Sequence, residues 1–303
     1  MQQTSEKRDT MLRSTLSHLT VVGDDAAGSR PIDGLHPEAL WMRLRQEAEQ
    51  AVTQEPMLAP LFFESVINQP SFDEAVFHRI GTRLKNDTVP RCLLVTIFRR
   101  AVTLDPGIGI ALREDIAAVM ERDPACDRFL EPFLYFKGYH AIQTHRMAHW
   151  LWTSGHRDFA LYLQSRSSDV FQTDIHPAAR FGRGVFLDHA TGLVVGATAI
   201  VDDDVSILQN VTLGGTGKET GDRHPKIRTG VMIGVGAKVL GNIEVGARAR
   251  IAAGSVVLRD VPPNVTVAGV PARQVGTVNP AEPAQAMDQI LRSLSEEALT
   301  YTI

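Results

Sequence analysis

From Ile175 to Val261 the chain repeats an apolar residue every six positions, and that period leaves few folds open. Ile175, Phe181 and Leu187 form one register, and Val195, Val201, Ile207 and Leu213 a second. Ile227, Ile233, Val239, Val245, Ile251 and Val257 form a third. Gly182, Gly196, Gly214, Gly234 and Gly246 directly follow the apolar position. One inward apolar side chain per face, with glycine relieving the corner, predicts a β-helix of hexapeptide repeats. Each change of register adds two residues to a multiple of six, and ionisable side chains crowd both breaks. Asp188-His189 stands at the first; Gly214 to Pro225, containing Lys218, Glu219, Asp222, Arg223 and His224, makes the second.

Composition narrows the partners. With 303 residues the chain has room for two domains, and 44% hydrophobic with 22% charged residues reads as a globular protein. A net charge of −4 offers no basic stripe for displacing counterions from nucleic acid. Cys92 and Cys126 make no paired framework, which fits a reducing compartment. No apolar run reaches the ~18–20 residues of a membrane span, and the first residues lack a secretory signal. The expectation is a cytoplasmic protein.

Four segments are expected: a leader (1–33), an α-helical domain (34–170), the β-helix (171–275) and a flexible tail (276–303). Leu40, Trp41, Leu44, Ala48 and Val52 fall at helical spacing before Pro56, and Ser71-Phe-Asp-Glu74 is a capping box. Further helices are predicted after Pro90, over 108–122, over 133–152 and over 159–167, with Met42, Met57 and Met120 in the core. Pro124 pushes Asp123 out of the helical region, which places that carboxylate on a turn. Pro262 and Pro263 end the repeat. A helical stretch is expected near Met287–Leu294.

Asp174 and His189 lie fifteen residues apart, in a fold whose full turn is roughly eighteen. That spacing brings them together across adjacent coils, as a base and the carboxylate that fixes its tautomer or as a surface ion pair. Asp188, on the opposite side of the strand or turn, holds a substrate ammonium or is a solvated turn residue. Arg223 and His224 offer a fork for a carboxylate or belong to a mobile basic loop. Gly214-Gly-Thr-Gly-Lys218 lacks the GxxxxGK[ST] pattern and a following helix, so it is no Walker loop, although small residues there let a cofactor lie against the coil. His145 and His149 have the spacing of a helical zinc pair but lack the glutamate and a third ligand, which makes them structural. Cys126 reads as a small buried apolar group.

Several stretches together are similar to the serine O-acetyltransferases of the hexapeptide acyltransferase superfamily, from about Trp41 to Arg273. They are Glu55-Pro-Met-Leu-Ala59, Arg122-Asp-Pro-Ala125, Lys137-Gly-Tyr-His-Ala141, Asp174-Ile-His-Pro-Ala-Ala179, Leu187-Asp-His-Ala-Thr-Gly192 and Val211–Lys218 with Gly221-Asp-Arg-His-Pro-Lys226. The resemblance implies a left-handed parallel β-helix after a helical domain, an α+β chain assembled as a trimer or as a hexamer of two trimers. It implies acetyl transfer from acetyl-CoA to L-serine, without a metal, at a site between subunits. In that assignment His189 is the base and Asp174 orients it. Asp123 and Asp188 bind the ammonium, and Arg223 with His224 the carboxylate. Gly215, Thr216, Val235 and Ala253 line the coenzyme groove. The resemblance also implies competition by L-cysteine and docking of the C-terminal Ile303 into O-acetylserine sulfhydrylase. Ala197 and Val235 depart from the family, which commonly carries Glu and Ala there. Other readings are an acyltransferase for a sugar or homoserine, a zinc-dependent hydratase using His176, His189 and His224, and a non-catalytic scaffold.

Overall fold

The structure is a computed structural model that describes residues 37–217, 220–278 and 282–287. Helix α1 (Pro37–Gln54) buries Leu40, Leu44, Ala48 and Ala51, spaced to form one face. Met42 falls two residues off that stripe and is 62% exposed; Met57, in the short turn Pro56–Leu58, is 91% exposed, so neither belongs to the core as expected. After α2 (Ala59–Phe62) and a π turn (Phe63–Ile67), α3 (Phe72–Leu84) opens with the Ser71 hydroxyl accepting from the Glu74 amide. Helices α4 (Arg91–Leu104) and α5 (Pro106–Arg122) follow, and α5 ends with Asp123 in extended geometry, as Pro124 requires.

The single helix expected over 133–152 is two. Helix α6 (Leu130–Leu134) stops, Phe136 turns extended, and α7 (Lys137–Thr153) starts afresh before α8 (Arg157–Phe171). The new start lies against the β-helix. A Cβ on Gly138 would sit 1.9 Å from the Leu187 carbonyl oxygen, so only glycine permits this approach. Apolar periodicity carries no record of such a break, because both helices bury side chains on either side of it.

Fifteen short strands among the described residues build the coil and its cap, ending in the antiparallel pair β14 (Val265–Gly269) and β15 (Ala272–Thr277) after β1–β13. With β2 (Arg180–Phe181), β5 (Ile200–Val201), β6 (Ser206–Ile207), β8 (Lys226–Ile227) and β11 (Glu244–Val245) among them, they stack into three sheets: β1-β4-β7-β10-β13, β11-β8-β5-β2 and β15-β14-β12-β9-β6-β3. For the site, the strands that matter are β1 (Thr173–Ile175), β3 (Phe186–Leu187), β4 (Leu193–Val195) and β7 (Thr212–Gly214). With them go β9 (Met232–Ile233), β10 (Lys238–Leu240), β12 (Arg250–Ile251) and β13 (Val256–Val257). Coil pairing is parallel, and the hexapeptide apolar positions from Ile175 to Val257, apart from the partly buried Phe181, are buried inside. Asp174 pairs with Val194, whereas Val194 pairs with Thr212. The first register break therefore lengthens one corner and leaves the strands aligned.

A buried cluster locks the helices to this coil. Asp115, wholly buried, accepts from Arg146 Nε and Nη2, from Gln143 Nε2 at 2.8 Å and from the Val185 amide at 2.9 Å. A fully bonded buried carboxylate of this kind holds its partners in one geometry, because losing any of them strands a charge. Beyond the coil, the turn α9 (Pro283–Ala286) packs back: Ala284 is fully buried, and its carbonyl accepts from Ser206 Oγ at 2.8 Å. This part of the expected flexible tail is thus docked, since Met287 joins Val119, Cys126 and Phe186 in an apolar cluster. The helix expected near Met287–Leu294 lies, from 288 onward, outside the described residues, as do Lys218, Glu219 and Ile303.

Candidate active site

At the corner between β3 and β4 the chain takes left-handed backbone angles at two successive non-glycine residues, His189 (φ 53) and Ala190 (φ 58). Such angles cost on the order of 1–2 kcal/mol per residue and persist only where surrounding contacts impose them. Backbone bonds do so here. The Ala190 amide reaches the Asp188 carbonyl, the Thr191 amide the His189 carbonyl, and the Asn210 amide the Thr191 carbonyl at 2.7 Å. The turn leaves the His189 side chain 72% exposed, with Nε2 at 3.7 Å from Asp188 Oδ1. Asp188 does not point to the opposite side, as strand alternation predicts, because positive φ at His189 cancels the alternation.

Asp188 and His189 line a cavity of about 280 Å³ with Asp123, Tyr135, Phe136, Lys137, Gly138 and Tyr139. Asp123 arrives from the end of α5, which Arg122 anchors by donating to Ser206 Oγ at 3.2 Å and pairing with Asp204. Burial pushes the Asp188 carboxyl above the usual range; the His189 imidazole opposes that and the Asp123 charge adds to it. Two carboxylates facing one small cavity suit a cationic group, whose arrival relieves their repulsion. Cys126, close by, is buried and its thiol is pushed up to about 12, so it is no nucleophile.

A second cluster occupies the corner on the other edge of the β1-β4-β7-β10-β13 face. His224 is 6% exposed and seated against Gly196, where a Cβ would lie 2.0 Å from its Nε2. The Thr198 amide donates to His224 Nδ1 at 3.2 Å and the Thr198 hydroxyl lies 2.8 Å from the same nitrogen, which places the ring proton on Nε2. Thr198 Oγ1 in turn accepts from the Arg223 and His224 amides. Burial, followed by the charges of Arg223 and Lys226, lowers the His224 pKa. The Gly214–Pro225 excursion is thereby pinned at its end, not mobile throughout. Nothing in the sequence pattern marked Thr198 as its anchor.

The candidate coenzyme residues divide between these two corners. Val235 and Ala253 stack above the His189 corner, in a column joined by the Gly236-to-Gln209 and Gly254-to-Val235 amide bonds. Gly215 packs on Arg223, and Thr216 lies beside Gly241, at the other edge. Within one chain the four do not form a single groove.

Within one chain Asp174 and His189 make no hydrogen bond or ion pair with each other. Asp174 is exposed on β1 and accepts from Gln164 Nε2 at 2.6 Å. Its register partner is Val194, so His189 lies five residues earlier, around the corner. Gln164, on α8, was not foreseen as the partner of Asp174.

His176, His189 and His224 do not gather either, and among the described residues no group of three or more His, Cys, Asp or Glu is placed to hold a metal. His176 accepts from the Ala178 amide and stands edge-on to Trp152. His149 Nδ1 bonds the Pro177 carbonyl, and His145 is buried against Phe181. Those two border a larger cavity of about 340 Å³, whose Arg146 and Arg183 are already paired with Asp115 and Glu114.

The chemistry of the coil is confined to its corners and one excursion, and the family comparisons place the protein among the hexapeptide-repeat transferases. Residues 224–259 match the family description "Bacterial transferase hexapeptide (six repeats)", and residues 40–144 match "Serine acetyltransferase, N-terminal". The serine acetyltransferase of Escherichia coli (strain K12) is 50% identical over 252 residues, covering 83% of this chain and 92% of that protein. The solved serine acetyltransferase of Brucella abortus strain S19 in complex with coenzyme A is 58% identical, covers 82% of this chain and 99% of that one, and has a TM-score of 0.79. A serine acetyltransferase solved in complex with cysteine is 48% identical over 85% of this chain and all of that one, with a TM-score of 0.83. The chain belongs to the serine acetyltransferase family, and is an acyltransferase.

Proposed function

We propose that the protein transfers the acetyl group of acetyl-CoA to the hydroxyl of L-serine, giving O-acetyl-L-serine for cysteine biosynthesis, with His189 as general base. The observation that carries this reading is the His189 corner: an exposed imidazole, held in a strained turn, over a cavity bounded by two carboxylates. Asp123 and Asp188 take the ammonium, Arg223 and His224 the carboxylate, and the base faces the hydroxyl between them. The protonated imidazole then returns its proton to the departing CoA thiolate. The structure solved with coenzyme A supports acetyl-CoA as the donor, and the one solved with cysteine supports a competitor sharing the ammonium and carboxylate of serine.

The split between two corners supports a site assembled from two copies, in which Asp123, Asp188, His189, Val235 and Ala253 of one face Arg223, His224, Gly215 and Thr216 of the next. A homotrimer, alone or doubled into a hexamer, supplies that arrangement by cyclic closure. The helical domain (34–170) then carries Asp123 to the β-helix domain (171–275). Asp174 accepts from Gln164 at Oδ1 alone, which leaves Oδ2 to orient the base through the imidazole nitrogen that does not face Asp188. Among the described residues no helix is long and apolar enough to cross a membrane, and the compartment we propose is the cytoplasm.

Release of CoA from acetyl-CoA with L-serine, L-homoserine or no acceptor tests the reading. It requires turnover with serine well above the other two; equal turnover with homoserine would point to a broader acceptor. We also propose that the C-terminal Ile303 docks into O-acetylserine sulfhydrylase, a terminal carboxylate suiting a nest of backbone donors. A ten-residue tail peptide should bind that enzyme and lose affinity when Ile303 is removed.

A further inference from the structure

Lys137 opens helix α7, where the aligned peptide dipoles disfavour a cation. It is nevertheless drawn inward, and burial lowers the pKa of its ammonium. Its bonds go to two neutral oxygens, Gln172 Oε1 at 3.2 Å and Thr191 Oγ1. No carboxylate of the described residues lies within ion-pair distance. Thr191 belongs to the strained corner, and Gln172, the C-cap of α8, lies in the coil beneath it. Gln172 has φ 59 and its carbonyl accepts from the Gly192 amide at 2.8 Å; Thr191 directly follows the left-handed pair His189 and Ala190. Gly138 allows this reach, since its missing Cβ lets α7 start against the Leu187 carbonyl at the end of β3.

We infer that Lys137 is a positioning residue: its ammonium ties Thr191 to Gln172 across two coils and so holds the turn that presents His189. The inference rests on His189 being the base, as proposed above. A neutral or shorter side chain leaves the left-handed turn with backbone bonds alone, and the imidazole loses its fixed aim. Misplacement of a catalytic group by about 1 Å costs up to roughly 100-fold in rate.

The full-length protein is assayed as Lys137→Met, Lys137→Arg, Thr191→Val and Lys137→Met/Thr191→Val, with His189→Asn as reference. The expected result is a kcat about 10- to 100-fold lower in Lys137→Met, with the KM values for serine and acetyl-CoA within about threefold of the parent. Thr191→Val should give part of that loss, the double variant no more than Lys137→Met, and Lys137→Arg should recover activity. A raised KM with unchanged kcat would make Lys137 a substrate contact and overturn the inference. So would a Lys137→Met enzyme with more than about half the parent kcat while His189→Asn is inactive. An active His189→Asn enzyme would instead sink the base assignment, and this inference with it.

Discussion

Gly196→Ala isolates the seat of His224. Gly196 does not adopt positive φ, so alanine meets no backbone penalty there and the effect is steric. The new Cβ would stand 2.0 Å from Cδ2 and Nε2 of a ring that is 6% exposed. No rotation of a methyl group relieves that, and the imidazole must leave. It forfeits its two bonds to Thr198, each worth about 0.5–1.5 kcal/mol net, and residual crowding adds about 1–3 kcal/mol. The expected loss is about 2–6 kcal/mol in urea unfolding, with a several-fold rise in KM for serine as Arg223 shifts with its neighbour. Two controls sharpen the case. In a His224→Ala background the methyl finds space, so the Gly196→Ala cost should fall below about 1 kcal/mol. The His224 pKa, lowered by burial, should climb back toward the ordinary imidazole range in Gly196→Ala, as followed by NMR titration. An equal cost in both backgrounds would refute the reasoning, since the clash would then lie elsewhere.

His189→Asn should lower turnover by roughly two to four orders of magnitude with unfolding unchanged; more than about a tenth of parental activity contradicts the base assignment. Arg223→Ala should raise the KM for serine far more than that for acetyl-CoA, and equal rises would place the guanidinium on the coenzyme instead. Acid should destabilise the fold through its buried imidazoles. Burial lowers the His140 pKa to about 3 and that of His145 well below its ordinary value, whereas both return to about 6.5 on unfolding. The unfolded chain therefore binds more protons below pH ~6.5, and stability falls toward pH ~3 by about 1.4 kcal/mol per pH unit for each imidazole. A folded His140→Asn variant should show a shallower pH slope in urea titrations, and an unaltered slope would contradict this.

Six-residue periodicity settled the coil by local means. An inward apolar side chain on each face needs one position in six, and no distant contact alters that demand. The same holds for the Ser71 cap and for the turn that Pro124 imposes on Asp123, both products of immediate neighbours. Asp188, His189, Arg223 and His224 stood out because ionisable residues crowded the two places where the period slipped. The tertiary fold decided what lay between separate segments. It broke the expected helix at Phe136 so that α7 could abut Leu187, and turned Met42 and Met57 outward. It paired Asp174 with Gln164 instead of His189, seated His224 on Gly196 and Thr198, and sorted the coenzyme residues onto two corners. The surroundings of Asp174 and His189 do not follow from spacing, because a corner absorbs extra residues without disturbing strand register, and the period records the register alone.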